Sequence, residues 1–231
     1  ASAITEIPDP RELDMLLTAG ERISMSLLGI ALNARGCRAA SYTGSQAGII
    51  TDTQHGQAKI TEIRPKRIIE ALEAGNVVIL AGFQGLSNEY EITTLGRGGS
   101  DLTAVAMAGA VGAEACEIYT DVAGVYTADP RIVPNAQRIE TIGYDDMLEL
   151  AAAGAKVLQS RSVEYARRYG VRLHVRSSFD DAAGTWVQEV DDMEGVLISG
   201  VALDADEAKV TLGGVPDRPG VAAAVFRAIA D

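Results

Sequence analysis

Two short runs decide the fold: Asn76-Val77-Val78-Ile79-Leu80-Ala81-Gly82 (NVVILAG, residues 76–82) and Ala115-Cys116-Glu117-Ile118-Tyr119 (ACEIY, residues 115–119). Apolar, β-branched runs of this length predict strands buried on both faces of a parallel sheet. Between them lies LTAVAMAGAV (residues 102–111), a small-residue helix. Ahead of the first lies a helix over residues 65–74, closed by Gly75. Strands that alternate with helices argue for an α/β domain with a mainly parallel sheet and helices on both faces.

The same pattern extends outward. Residues 1–10, with Pro8 and Pro10, read as a loop, and residues 14–33 carry apolar positions at helical spacing, with Gly36 as the stop. Residues 39–42, 49–51 and 58–63 are short strand candidates, and residues 86–95 read as polar and turn-like. Residues 122–134 form a loop rich in Gly, Asp and Pro. Helices follow over 144–153 and 156–169, split near Gly154, and residues 171–176 alternate like a strand. The tail changes character: strand candidates at 195–202 and 207–212, a Gly/Pro turn, then a helix over 221–230. We divide the chain into a domain over residues 1–193 and the first piece of a second domain over residues 194–231.

The 231 residues are 47% hydrophobic and 23% charged, which supplies a packed core and excludes global disorder. The net charge of −12 repels phosphodiester backbones and argues against a nucleic-acid partner, though it leaves room for a nucleotide held by a few N–H groups and cations. Two cysteines, Cys37 and Cys116, make no disulfide framework and read as buried free thiols. Two histidines and no CxxC give no metal site. No uninterrupted apolar stretch reaches about 18 residues, so no membrane span is expected. No secretory signal is visible, and a reducing, cytoplasmic setting is the expectation.

Three segments and one lysine carry candidate chemistry. In LGRGGSD (residues 95–101) the glycines let backbone approach a ligand, Ser100 and Asp101 are expected to cap the following helix, and that helix offers free N–H groups to an anion. Arg97 adds a planar fork suited to a carboxylate or phosphate. It is neither a GxxxxGK[ST] loop nor a GxGxxG loop after a first strand. In YTDVAGVYTADPR (residues 119–131), at a strand's carboxyl end, Thr120, Asp121, Tyr126, Asp129 and Arg131 suit a Mg²⁺-nucleotide. In TAGERIS (residues 18–24), Glu21 sits among small residues and is placed to project toward a cleft. Lys156, just after Gly154-Ala155, opposes a helix dipole and hints at an anion.

At these residues the chain resembles the aspartokinases of the amino acid kinase family, of the actinobacterial type. The resemblance is carried by RELDMLLTAGERIS (11–24), YTGSQAGI (42–49), AGFQG (81–85), TTLGRGGSD (93–101), YTDVAGVYTADPRIV (119–133), MLELAAAGAKVL (147–158) and VRSSF (175–179). It implies a three-layer αβα sandwich of the carbamate-kinase-like type. The tail resembles the start of an ACT domain, a ferredoxin-like α+β regulatory module. It also implies ATP-dependent phosphorylation of L-aspartate, with ATP and Mg²⁺ as cofactors, lysine or threonine as allosteric ligands, and a homo- or hetero-oligomer. Glu21, Arg97, Gly98, Gly99 and Ser100 would meet aspartate. Tyr119, Thr120, Asp121, Val125, Tyr126, Thr127, Ala128, Asp129, Pro130, Arg131, Ala155 and Lys156 would surround ATP. Arg97, Asp101 and Lys156 would be catalytic. Two departures stand out: the family's lysine–glycine phosphate motif and its strand are absent, and Ala123 replaces the usual Asp. A chain cut at both ends is the expectation, with a non-catalytic ligand-binding subunit as the alternative.

Overall fold

The computed structural model describes residues 4–155, 157–190 and 200–203. The expected start of a second domain over 194–231, and Lys156, lie outside the described residues for all but residues 200–203.

Helix α1 runs Pro10–Ala34 and starts earlier than the apolar periodicity alone suggested. Asp9 is the reason: its carboxylate accepts from the backbone N–H groups of Arg11 and Glu12, and Pro10 occupies the first turn, where no N–H is needed. The next elements are β1 (Ala39–Tyr42), β2 (Ile49–Thr51), β3 (Ile60–Ile63), α2 (Lys66–Glu73), β4 (Val77–Leu80), β5 (Gln84–Ser87), β6 (Ile92–Thr94) and α3 (Gly99–Val111). They are followed by β7 (Cys116–Thr120), β8 (Thr141–Gly143), α4 (Tyr144–Ala152), α5 (Ser160–Tyr169), β9 (Leu173–Ser177) and β10 (Thr185–Gln188).

The α/β plan holds, as three sheets with orders β1-β4, β3-β2-β5-β6 and β7-β9-β10-β8. Among the described residues β1·β4, β2·β5, β7·β9 and β8·β10 pair in parallel, and the remaining three pairings are antiparallel. Residues 86–95, expected as polar and turn-like, instead carry most of a β-hairpin, β5 with β6. Its turn carries Tyr90 at φ 65°, and the strands are too short and polar to show a period. β8 and β10, three and four residues long, were hidden for the same reason.

The two founding strands are not buried on both faces. Val77 of β4 is exposed, and β7 alternates, with Cys116 and Ile118 inside and Glu117 and Tyr119 outside. Conversely, Leu173, His174 and Val175 of β9 are all buried, so β9 is the strand covered on both faces. Cys37 is exposed, contrary to expectation, because it falls in the turn between α1 and β1. Cys116 is buried as expected, and its thiol is pushed up to about 11 by burial and then by the Asp101 charge.

The main core joins β7, β9 and β10 to α3, α4 and α5, with Val105, Met147, Val163, Leu173, Val175 and Val187 at its centre. The N-terminal region is different. α1 packs on β1, β4 and β6 through Asp14, Thr18 and Gly29, while Leu16, Leu27 and Ile30 are exposed. At Gly29 a Cβ would stand 2.8 Å from Ser41 Oγ, so the helix lies directly on β1. By length and composition α1 also passes as a membrane span, although it holds no uninterrupted apolar run of about 18 residues. Asp14, Glu21 and Arg22 argue for a packing helix, since a charge at a span's centre costs about 2.5–3.5 kcal/mol on insertion scales.

Candidate active site

The glycine loop begins where β6 ends. Leu95 N–H donates to Phe83 O at 2.9 Å, and Arg161 donates to Leu95 O at 2.8 Å, which pins the loop's first residue. Gly96 and Gly98 take φ values of 77° and 71°, which only glycine adopts without strain. Space is equally restrictive: a Cβ on Gly98 would lie 1.9 Å from Gln159 Cγ, and one on Gly99 would lie 2.7 Å from Phe83 Cβ.

Gly98 is the N-cap of α3, and no side chain caps this helix. Ser100 and Asp101, expected as caps, lie inside the first turn instead. The N–H groups there lack an internal side-chain partner, which suits an anion. Asp101 is partly buried, and that burial raises its pKa. Arg97 stands exposed on the turn just ahead.

Glu21 and Ser100 come together. Both line an open cavity of about 520 Å³, with Gly82, Val78 and Leu80 from the β4 side, Thr103 and Met107 from α3, and Cys116 from β7. A Cβ on Gly82 would lie 2.7 Å from Ser100 Oγ, so the carboxyl end of β4 abuts the α3 N-terminus. This is the position at which open α/β sheets bind ligands. Phe83 was missed from sequence. It is one of two non-glycine residues with positive φ among the described residues (48°), and its N–H donates to Thr103 Oγ1 at 3.0 Å, a hydroxyl one turn into α3. AGFQG, a glycine on each side of Phe83, was the available signal.

The second segment leaves β7. Thr120 and Asp121 stand at its carboxyl end, with Thr120 Oγ1 donating to Asp121 at 3.1 Å. Tyr119 is exposed. Its hydroxyl donates to Glu117 at 2.9 Å, and the Arg176 guanidinium sits 5.6 Å from its ring centroid. The Tyr119 hydrogen bond, with Arg176 behind it, lowers the Glu117 pKa. Asp129 holds Arg131 in a fork at 2.7–3.2 Å, and this pairing holds the Asp129 carboxyl down at about 2.

Val125 differs from its neighbours. Its side chain is in the core, its N–H donates to Thr185 Oγ1 at 2.9 Å, and its carbonyl accepts from Ile139 N–H at 2.8 Å. It anchors the loop. Thr127 N–H in turn donates to Gln137 O, and Tyr126 forms an antiparallel bridge with Arg138, so Tyr126 and Thr127 are tied to the 137–138 segment and the chain bends at Ala128. Pro130 is exposed, and Ala155 packs against the main core.

The α/β sheet thus carries a glycine loop at one strand end and a polar loop at another. Residues 2–177 match the amino acid kinase family, and the chain belongs to it. It is 57% identical to an aspartokinase of Mycolicibacterium smegmatis over all of this chain and 56% of that protein. The fold is similar to E. coli aspartokinase III in complex with aspartate and ADP (R-state), with TM-score 0.74, 35% identity, and 80% of this chain and 42% of that chain covered. It is also similar to the same enzyme in complex with lysine and aspartate (T-state), with TM-score 0.68, 35% identity and the same coverage of 80% and 42%. The chain thus spans about half the length of the curated relatives it matches.

Proposed function

We propose that this chain is the catalytic portion of an aspartate kinase, transferring the γ-phosphoryl group of ATP to the side-chain carboxylate of L-aspartate to give 4-phospho-L-aspartate and ADP. Such a step opens lysine, threonine and methionine synthesis. The observation that carries the reading is the shared cavity of Glu21 and Ser100 at the carboxyl end of β4. Glu21 offers an acidic group for an α-ammonium and the α3 N-terminus at Ser100 offers backbone N–H groups for a carboxylate, in a cavity whose remaining lining is mostly apolar. The 57% identity over the whole chain supports the substrate.

In this reading Arg97, Gly98, Gly99 and Ser100 hold the carboxylates, and Glu21 meets the ammonium. Tyr119, Thr120, Asp121 and the arm from Tyr126 to Arg131 hold ATP, with Val125 as their anchor, and Ala155 and Lys156 lie by the phosphates. Mg²⁺ arrives with the nucleotide. Asp121 is exposed and offers hard oxygen, whereas both oxygens of Asp129 are engaged by Arg131. Phosphoryl transfer asks the protein for positioning and electrostatics rather than covalent chemistry. The reading extends to residues 194–231 as the start of an ACT domain binding lysine or threonine, in a cytoplasmic homo- or hetero-oligomer.

A coupled ADP-release assay on the complete protein tests this. Turnover with aspartate, and none with glutamate or carbamate, is the expected result. No aspartate-dependent release would leave a non-catalytic binding subunit. In calorimetric titration with Mg²⁺ and a non-hydrolysable ATP analogue, Asp121→Asn is expected to weaken binding roughly tenfold, the order of one charge-assisted contact. Wild-type affinity would remove the loop from the nucleotide.

A further inference from the structure

Asp14 is a buried carboxylate, 1% exposed, that the reading above does not use. Four donors surround it. Thr94 Oγ1 donates to Oδ1 at 2.6 Å, and Thr94 N–H to Oδ2 at 3.1 Å. Gly56 N–H lies 3.2 Å from both oxygens, and His55 Nδ1 lies 2.8 Å from Oδ2. A buried carboxylate that is this fully paired is stiff, because moving it would strand several donors at once.

The elements it joins are those that carry the candidate amino-acid pocket. Asp14, Thr18 and Glu21 are spaced i, i+4 and i+7, so they share one face of α1. Asp14 and Thr18 are buried, and Glu21 lines the cavity. Thr94 is the last residue of β6, immediately before the glycine loop. Its carbonyl accepts from Ala58 N–H at 2.9 Å, so its hydroxyl, N–H and C=O are all engaged. Gly56, the third donor residue, packs on that loop: a Cβ at Gly96 would lie 2.8 Å from Gly56 O.

We infer that Asp14 is a positioning residue. Its carboxylate locks the rotation and axial position of α1 to the end of β6, and so sets the separation of Glu21 from the Arg97–Ser100 segment. This deepens the proposed function and depends on its assignment of those residues to one amino-acid pocket. The physical clamp can be judged without it.

The experiment uses the complete protein with Asp14→Asn, Thr94→Val and Thr94→Ser. Asparagine keeps the shape and one acceptor. Valine removes the hydroxyl at constant shape, and serine restores it. Expected for Asp14→Asn and Thr94→Val is an aspartate KM raised about tenfold or more, with the ATP KM within about twofold. Thr94→Ser should stay near wild type, and the double variant should fall short of the product of the two single effects. Aspartate and ATP KM values that move together, or Thr94→Ser as impaired as Thr94→Val, would overturn the inference. Hydrogen–deuterium exchange supplies the readout independent of activity. Faster exchange confined to residues 95–101, with β7 and β9 unchanged, is expected in Asp14→Asn. Unchanged exchange there would overturn the clamp even in an active enzyme. Wild type without aspartate-dependent turnover would sink the functional reading, while exchange would still decide on the clamp.

Discussion

Around β7, β9 and β10, sixteen buried side chains among the described residues, from α3, α4, α5, the sheet and its loops, close on one another, and Leu173, Val175 and Val187 are fully enclosed. Around β1 and β4 the corresponding cluster has, among the described residues, four buried members, Ala47, Ile49, Ile68 and Met107, with partly buried neighbours such as Tyr42, Val78 and Leu80, and the apolar side of α1 faces outward. The candidate site spans both regions, with Glu21 and the glycine loop on the thinner side and the Tyr119–Arg131 loop on the thicker one. The difference shows that a site need not sit on the best-packed part of a fold. It is held where polar groups are satisfied, as at Asp14 and Thr94, even if little apolar area is buried nearby.

The largest expected effect tests the contrast in packing. Leu173→Ala should lower the free energy of unfolding by about 2–5 kcal/mol, as for a fully enclosed core leucine. Leu27→Ala, on the exposed side of α1, should stay within about 0.5 kcal/mol. Urea denaturation of both variants measures it, and equal losses would break the comparison.

Next in size, Arg97→Ala in the complete protein should raise the aspartate KM about ten- to a hundredfold, from a lost charge-assisted contact of about 1.5–3 kcal/mol. The ATP KM should not follow. A shift in both would mean that the two sides of the site are not separable in function. Gly98→Ala should then cost about 1–3 kcal/mol, since it meets both a φ of 71° and Gln159. Gly112→Ala, at φ 67° with nothing within 4 Å, carries the backbone penalty alone and should cost about 1 kcal/mol. The difference between their thermal midpoints isolates the clash.

The smallest effect concerns Asp101. Its pKa is raised in the folded state, so the folded protein binds the proton more tightly than the unfolded chain does. Stability from this group is present at low pH and is lost as pH rises through the folded pKa. Asp101→Asn should therefore raise the thermal midpoint at pH 7 more than at pH 4, by less than about 2 °C. A larger gain at the acid end would contradict the assignment.

Much of the α/β plan was legible because its signals are local. Gly36 follows α1 and Gly75 follows α2 at positive φ, and LGRGGSD reads as a loop running into a helix, whereas the Asp9-Pro10 start of α1 lies in a stretch that reads as loop. The grouping of Glu21 with Ser100 was only half visible. TAGERIS placed Glu21 on a helix, but nothing local said that this helix would lie across the same cavity as α3. Phe83 and Asp14 were not singled out, since a positive φ at phenylalanine and four donors around one carboxylate arise only from residues brought together from β4, β6, α3 and the segment around His55.

α1 marks the boundary between the two kinds of information. Its helical state follows from the spacing of its apolar residues and from its cap, which are properties of neighbours in the chain. The face it turns inward does not follow, because the periodic apolar residues lie outside while Asp14, Thr18 and Gly29 lie within. Hydrogen bonds from Thr94, Gly56 and His55 to Asp14, and the bare glycine surface against Ser41, settle that orientation. A sequence determines which positions share a helix face. Which face is buried depends on the partners that the rest of the chain brings to it.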